Sequence, residues 1–286
     1  MTLPVELGEG SGPVGGSSPE VEDRDEHKDL LNKAATAADW LTRSSGSTRP
    51  ARLCQPDAFT LPTDTRASDR FLPVSEHLPD GGIELSSADL EALPARWSSC
   101  WTPSDVAQRL SGIATPWCVA AGWALDLFRG TQTREHGDIE IAIPAADFPE
   151  VRNRFPGYVF DAVSSGRIWE NATPDVLAAT HQTWLRDPAT GDYLLDVFRE
   201  AHDGATWICR HDKTIRLPYS EIIHRTPDGI PYLAPELVLL FKAKHARPKD
   251  QADFDEIVPH LTPDARTILA GLLARAHPGH HWIANL

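Results

Sequence analysis

The chain has 286 residues, 41% of them hydrophobic, and a formal net charge of −14 at pH 7. That length and apolar content suit one large or two modest domains, and the acidic balance argues against a DNA or RNA partner, which calls for a basic face. No apolar run reaches the ~18 residues that a membrane-spanning helix needs, and Met1-Thr2-Leu3-Pro4-Val5-Glu6 lacks the basic and apolar stretches of a secretory signal.

Residues 1–85 read as a partly disordered extension. The stretch 8–19, rich in Gly, Ser and Pro, cannot bury enough surface to fold. A short helix is expected over 26–43, where Leu30, Leu31, Ala34, Ala38 and Leu41 recur at helical spacing. Helix-capping chemistry opens two further helices, at Ser87 and at Pro103. The core then begins with an apolar strand over 117–121. Gly122 ends it, and a helix over 123–129 follows. Alternating residues place a strand at 138–143, and Pro144 opens a helix to about Arg154. Strands are expected near 158–162, 181–187 and 193–199, the last two joined by the turn-rich Asp187–Asp192, with shorter strands at Trp207–Cys209 and Thr214–Leu217. Beyond Pro218 the pattern becomes helical, with helices over 235–246, 249–258 and 263–276. The expected fold is α+β: a core at 86–218 with a mixed sheet and flanking helices, then a C-terminal helical domain at 219–286.

Asp138 and Glu140 carry the chemistry. Residues two apart on a strand share a face, with Cα atoms roughly 7 Å apart, so the two carboxylates stand side by side while Ile139, Ile141 and Ile143 fill the core face. Paired carboxylates on a half-buried strand suit a divalent cation. Asp196, among apolar neighbours in Tyr193–Phe198, offers a third, because an unpaired buried Asp would be costly. The turn at Gly122, between a strand and a helix N-terminus, suits a phosphate. Taken singly, Asp138 reads equally as a turn residue, Glu140 as part of a solvated face, Asp126 as a pairing residue on its helix and His136 as a turn residue. An anionic nucleotide would need a local basic cluster within the acidic chain, with Arg134, Arg210, Lys213, Lys242 and Lys244 as candidates.

Two stretches, Ala121–Phe128 and Gln132–Ile141, resemble the bacterial antibiotic nucleotidyltransferases, in particular the aminoglycoside 2''-adenylyltransferase and lincosamide nucleotidyltransferase group. The family pattern runs Gly-Gly-Trp, a helix, Thr-Arg-Glu-His, then Asp-x-Asp. Later stretches, Asp228–Leu237, Leu239–Lys244, Lys249–Phe254 and His281-Trp282, fit its relatives more loosely, so the resemblance spans about 115–286. Two positions depart from the pattern: Ala121 replaces the first glycine, and Glu140 the second aspartate.

The resemblance implies transfer of a nucleoside monophosphate, AMP from ATP, to a hydroxyl of a small acceptor such as an aminoglycoside-like compound or natural product. Asp138, Glu140 and Asp196 would hold two Mg2+ ions, with Asp196 also helping to deprotonate the acceptor. Gly122, Trp123, Arg134, Lys242 and Lys244 would meet the nucleotide. Other readings are a toxin-like nucleotidyltransferase acting on protein or tRNA, and a catalytically silent nucleotide-binding module. Cys54, Cys100, Cys118 and Cys209 show no Cys-x-x-Cys spacing, which points to reduced thiols in a cytoplasmic protein.

Overall fold

The computed structural model describes residues 78–286. The helix expected over 26–43, Cys54 and most of the 1–85 extension lie outside the described residues. Strand β1 (Ile83–Glu84) leads into helix α1 (Ser87–Arg96). Ser86 and Asp89 close a reciprocal capping box at its start, and Thr102 and Asp105 do the same for α2 (Pro103–Arg109). Then come β2 (Cys118–Val119), α3 (Ala121–Arg129), β3 (Glu140–Pro144), α4 (Phe148–Arg152), β4 (Val159–Ser164), β5 (Arg167–Trp169), α5 (Pro174–Ala179), β6 (Gln182–Arg186) and β7 (Tyr193–Glu200). Three short strands, β8 (His202–Asp203), β9 (Thr206–Ile208) and β10 (Arg216–Pro218), form a separate small sheet. After α6 (Tyr219–Ile222), the strands β11 (Ile223–Arg225) and β12 (Pro231–Leu233) make a hairpin. The chain ends in α7 (Pro235–Lys242), α8 (Pro248–Ile257) and α9 (Pro263–Ala276), followed by a 3-10 turn at His281–Asn285.

Nine strands form the main sheet in the order β1-β5-β4-β6-β7-β3-β2-β12-β11. Two neighbouring pairs, β3 with β7 and β2 with β12, are parallel, and the rest are antiparallel. This is the expected α+β architecture. One boundary differs. The sequence after Pro218 reads as helical, yet β11 and β12 extend the main sheet, with Tyr232 opposite Val119. The helical portion therefore starts at Pro235, which occupies the first turn of α7, where its missing N–H is tolerated. The short apolar strand Pro231-Tyr232-Leu233 has no room to show alternation, which is why its period is unreadable.

The core forms where the sheet meets the C-terminal helices. Ile139, Ile141 and Ile143 are fully buried and share one cluster with Leu237, Leu240 and Leu273. Each such side chain contributes about 1.5–3 kcal/mol on burial. A second cluster, of Leu93, Trp97, Val163, Ile168, Trp184 and Tyr193, fastens α1 to β4, β5, β6 and β7. Alternation along β3 and β7 sends Glu140 and Ala142, and Asp196, Phe198 and Glu200, to the opposite face. That face is the floor of the candidate site.

Candidate active site

A cleft of about 340 Å³ opens over this floor, within the size range of small-molecule sites. The pairing of β3 with β7 sets its chemistry. Glu140 stands directly opposite Asp196, with Ala142 opposite Phe198 and Pro144 opposite Glu200. Neighbouring strands lie about 4.8 Å apart, so two acidic side chains rise next to each other. Glu140 is buried but lines the cleft. Asp196 is fully buried behind the lining, and Gln182 donates its amide to Oδ2. Asp138 lies just ahead of β3, half-buried and facing the cleft. Asp138 therefore belongs to the loop entering the strand, which starts two residues later than expected. These hard oxygen donors fit magnesium in kind. As the side chains stand, no three His, Cys, Asp or Glu groups among the described residues gather closely enough to hold a metal ion.

At one end of the floor is the N-terminus of α3. The helix begins at Ala121, so Gly122 sits inside its first turn, where backbone N–H groups have no helical partner. Two local features build this corner. Ala121 has φ 49°, in the left-handed region, which costs a non-glycine residue about 1 kcal/mol or more. Gly122 admits side chains that a Cβ would block: that atom would lie 2.5 Å from Arg134 Nη2 and 2.7 Å from His136 Cε1. Arg134 and His136 thus press onto the helix start, and both line the cleft.

The loop carrying them is fastened to α3. Asp126, 4% exposed, accepts from His136 Nε2 at 2.6 Å and from the backbone N–H and hydroxyl of Thr133 at 3.0 and 2.6 Å. Trp123 stacks on His136 with ring centroids 4.4 Å apart, and its indole donates to the carbonyl of Asp138 at 3.1 Å. Trp123 is therefore a brace for this loop and does not line the cleft. Burial pushes the His136 pKa below its ordinary value against the opposing bond to Asp126. The ring is consequently neutral near pH 7 and donates Nε2–H to the carboxylate.

Across the cleft the C-terminal helices supply cations. Lys242 Nζ lies 2.7 Å from Asp253 Oδ2 and 3.2 Å from Asp250 Oδ1. Arg247 Nε lies 2.7 Å from Asp250 Oδ2, and Arg134 Nε reaches Asp253 Oδ1 at 3.5 Å. Burial works to raise Asp250, but the Arg247 and Lys242 contacts outweigh it and hold the carboxyl below its usual range. Two buried carboxylates thus hold three cations at the rim. Lys249 and His245 line the same cleft, and Arg210 does so while paired to Glu200 at 2.9 Å and lying 4.0 Å over the Phe241 ring.

Of the five basic residues expected to cluster, Arg134, Arg210 and Lys242 line the cleft. Lys244 does not: it lines a separate hollow with His277, Pro278 and Gly279. Lys244 lies two residues past the end of α7, in the turn that follows it, while Lys242 is the last residue of the helix. Lys213 is exposed and outside the cleft lining. His245 and Arg247 sit in the turn between α7 and α8, and Lys249 in the first turn of α8, where no period marks a face. Trp169, Trp184 and Trp207 are core residues, and Trp282 is fully buried on Phe254.

The family model described as aminoglycoside-2''-adenylyltransferase matches residues 104–172. The match covers about a quarter of the 286 residues. Gly122, Trp123, Arg134, Asp138 and Glu140 all fall inside the matched segment; Asp196, Arg210 and the C-terminal cations fall outside it. No curated protein matches the chain. Among solved structures, it is similar to the lincomycin-bound lincosamide antibiotic adenylyltransferase LnuA, with 19% identity, covering 54% of this chain and 92% of that one, TM-score 0.38. It is also similar to the antibiotic-resistance factor ANT(2'')-Ia in solution, with 15% identity, 60% and 80% coverage and TM-score 0.34. The complex of ANT(2'')-Ia with adenylyl-2''-tobramycin gives 14% identity, 60% and 85% coverage and TM-score 0.33.

Proposed function

We propose that the protein transfers a nucleoside monophosphate, AMP from ATP, to a hydroxyl of a small molecule. The observation that carries this reading is the register of β3 on β7, which sets Glu140 beside Asp196 within one strand spacing of each other and next to the N-terminus of α3. Asp138 and Glu140 would hold two magnesium ions, and Asp196 one of them. Bound there, the metals would neutralise charge on the phosphates and activate the attacking oxygen.

The chain's own groups do the rest. Free N–H groups around Gly122 hold the β- and γ-phosphates, and Arg134 and Lys242 add charge-assisted bonds from either side of the cleft. The acceptor oxygen forms a bond to the α-phosphorus, while the bond from that phosphorus to the bridging oxygen breaks and pyrophosphate leaves with the electron pair. The hydroxyl proton passes to Asp196. Among the described residues no helix is long and apolar enough to cross a membrane, and Cys100, Cys118 and Cys209 form no disulfide. The reduced cysteines support a cytoplasmic place of work.

The test is magnesium-dependent transfer of label from α-³²P-ATP to a panel of hydroxylated small molecules. Asp138→Asn abolishes transfer and leaves the fold intact by circular dichroism. Full activity in that variant would refute the metal assignment.

A further inference from the structure

One side of the cleft lies outside the segment that the family model matches. Pro94, Trp97, Ser98 and Cys100 line it, and all four precede residue 104. They come from the last turn of α1 and the loop after it. This wall is fixed firmly. Trp97 is 2% exposed and packs edge-on against Trp184 at 5.5 Å and on Tyr193 at 5.3 Å. Arg96 donates to the carbonyl of Gly191 through Nε and Nη2 at 3.0 and 2.8 Å and lies 4.1 Å over the Tyr193 ring. Trp101 N–H donates to the carbonyl of Leu194 at 3.0 Å. Apart from Trp184, which pairs across the strands with Asp196, these anchors lie within the five residues that precede Asp196. The wall therefore borders the Asp196 end of the cleft, where the reading above, on which this inference rests, puts the attacking hydroxyl.

Its four lining residues carry no charge. The described lining as a whole holds three carboxylates, Asp138, Glu140 and Glu200. The first two serve the metals in that reading. Glu200 is neutralised by Arg210 at 2.9 Å and accepts from the Trp207 indole at 3.3 Å. A polycationic acceptor brings several ammonium groups, and each is costly to desolvate without a partner. The described lining instead adds Arg134, Lys242, Arg247 and Lys249. We infer that the Pro94–Cys100 wall is the acceptor subsite, and that it takes an uncharged hydroxyl-bearing molecule with an apolar or aromatic face in place of a polycationic aminosugar.

The experiment uses the full chain, magnesium and α-³²P-ATP, with two acceptor sets: neutral aryl glycosides, 4-nitrophenyl β-glucoside among them, and polycationic aminosugars such as kanamycin. Ser98 is exposed and lines the wall, so Ser98→Glu and Ser98→Trp alter the subsite without touching the core. The neutral set is labelled in preference. Both variants raise the KM for the neutral acceptor at least tenfold and leave the KM for ATP within twofold. Preference for kanamycin, transfer to neither set, or an unmoved acceptor KM in both variants overturns the inference. So does a parallel rise in the KM for ATP, which would make the wall part of the nucleotide site. If magnesium with ATP, GTP, CTP or UTP fails to raise the wild-type Tm, the proposed function itself falls and takes the inference with it. A shift with ATP, together with transfer confined to the aminosugars, overturns the inference alone.

Discussion

Asp126 and His136 stand 2.6 Å apart, both side chains 4% exposed, and their bond ties the loop before β3 to the helix that starts at Gly122. The same carboxylate takes two hydrogen bonds from Thr133. Asp126→Ala strands these donors, of which His136 Nε2 is buried while Thr133 is exposed. Unsatisfied buried donors cost about 1–3 kcal/mol each. The variant loses about 1–3 kcal/mol in urea denaturation, and its KM for ATP rises more than its KM for acceptor, since Arg134 rides on the freed loop. Equal changes in both KM values would show that the loop does not position the nucleotide.

The first turn of α3 allows two opposed glycine substitutions. Ala121 at φ 49° is a strained alanine in a position that suits glycine. Ala121→Gly raises stability by about 0.5–1 kcal/mol, the relief of left-handed strain less the entropy that glycine adds to the unfolded chain. Gly122→Ala does the reverse. Its Cβ meets the tip of Arg134, which can swing away, and the ring of His136, which is stacked on Trp123 and bonded to Asp126 and cannot. Transfer activity drops at least tenfold in this variant, with a Tm loss of a few degrees. A Gly122→Ala enzyme with normal KM for ATP would remove Gly122 from the nucleotide corner.

The carboxylate pattern was legible because period-2 alternation is a local property: Ile139, Ile141 and Ile143 point one way, and Glu140 the other. That Asp196 would be the partner of Glu140 depends on strand register, which joins residues 56 positions apart and leaves no mark in either segment. The wall at Pro94–Cys100 was hidden for the same reason. Its residues read as a helix end, and only the packing of Trp97 on Trp184 and Tyr193 turns them toward the cleft. Asp250 and Asp253 lie on α8, a polar helix in sequence. Asp250 does cap, accepting from Arg247 N–H at 3.2 Å, but both are buried by the cations that cover them.

Those cations make Lys242 a structural residue as well as a candidate phosphate contact. Lys242→Met leaves Asp250 and Asp253 short of one counter-charge in a site where both are nearly buried. Removing one member of a buried ion pair costs about 3–5 kcal/mol. Adding Asp253→Asn to Lys242→Met recovers part of that loss, and a double-mutant cycle by chemical denaturation gives a coupling of about 1–3 kcal/mol. A coupling near zero would mean that the pair is solvated and that Lys242 is available to the nucleotide at no structural cost.

His211 gives the chain a pH-dependent stability. It packs between Phe241 and His277, and its Nδ1 is buried without a hydrogen-bond partner. Burial pushes its pKa far below the ordinary 6.5, and Arg210, His277 and Lys244 push the same way. The unfolded chain therefore binds this proton more readily than the folded one. The contribution of a neutral His211 is complete above pH ~6.5 and is lost progressively as the pH falls below it. His136, His277 and His280 are lowered by burial as well and add to the slope. Wild-type Tm accordingly declines between pH 7 and pH 5. His211→Phe fills the same space, removes the unpartnered nitrogen and flattens that decline without abolishing it. Tm curves for the two proteins that run parallel across this range would show that His211 is hydrated in the folded chain and does not titrate against the fold.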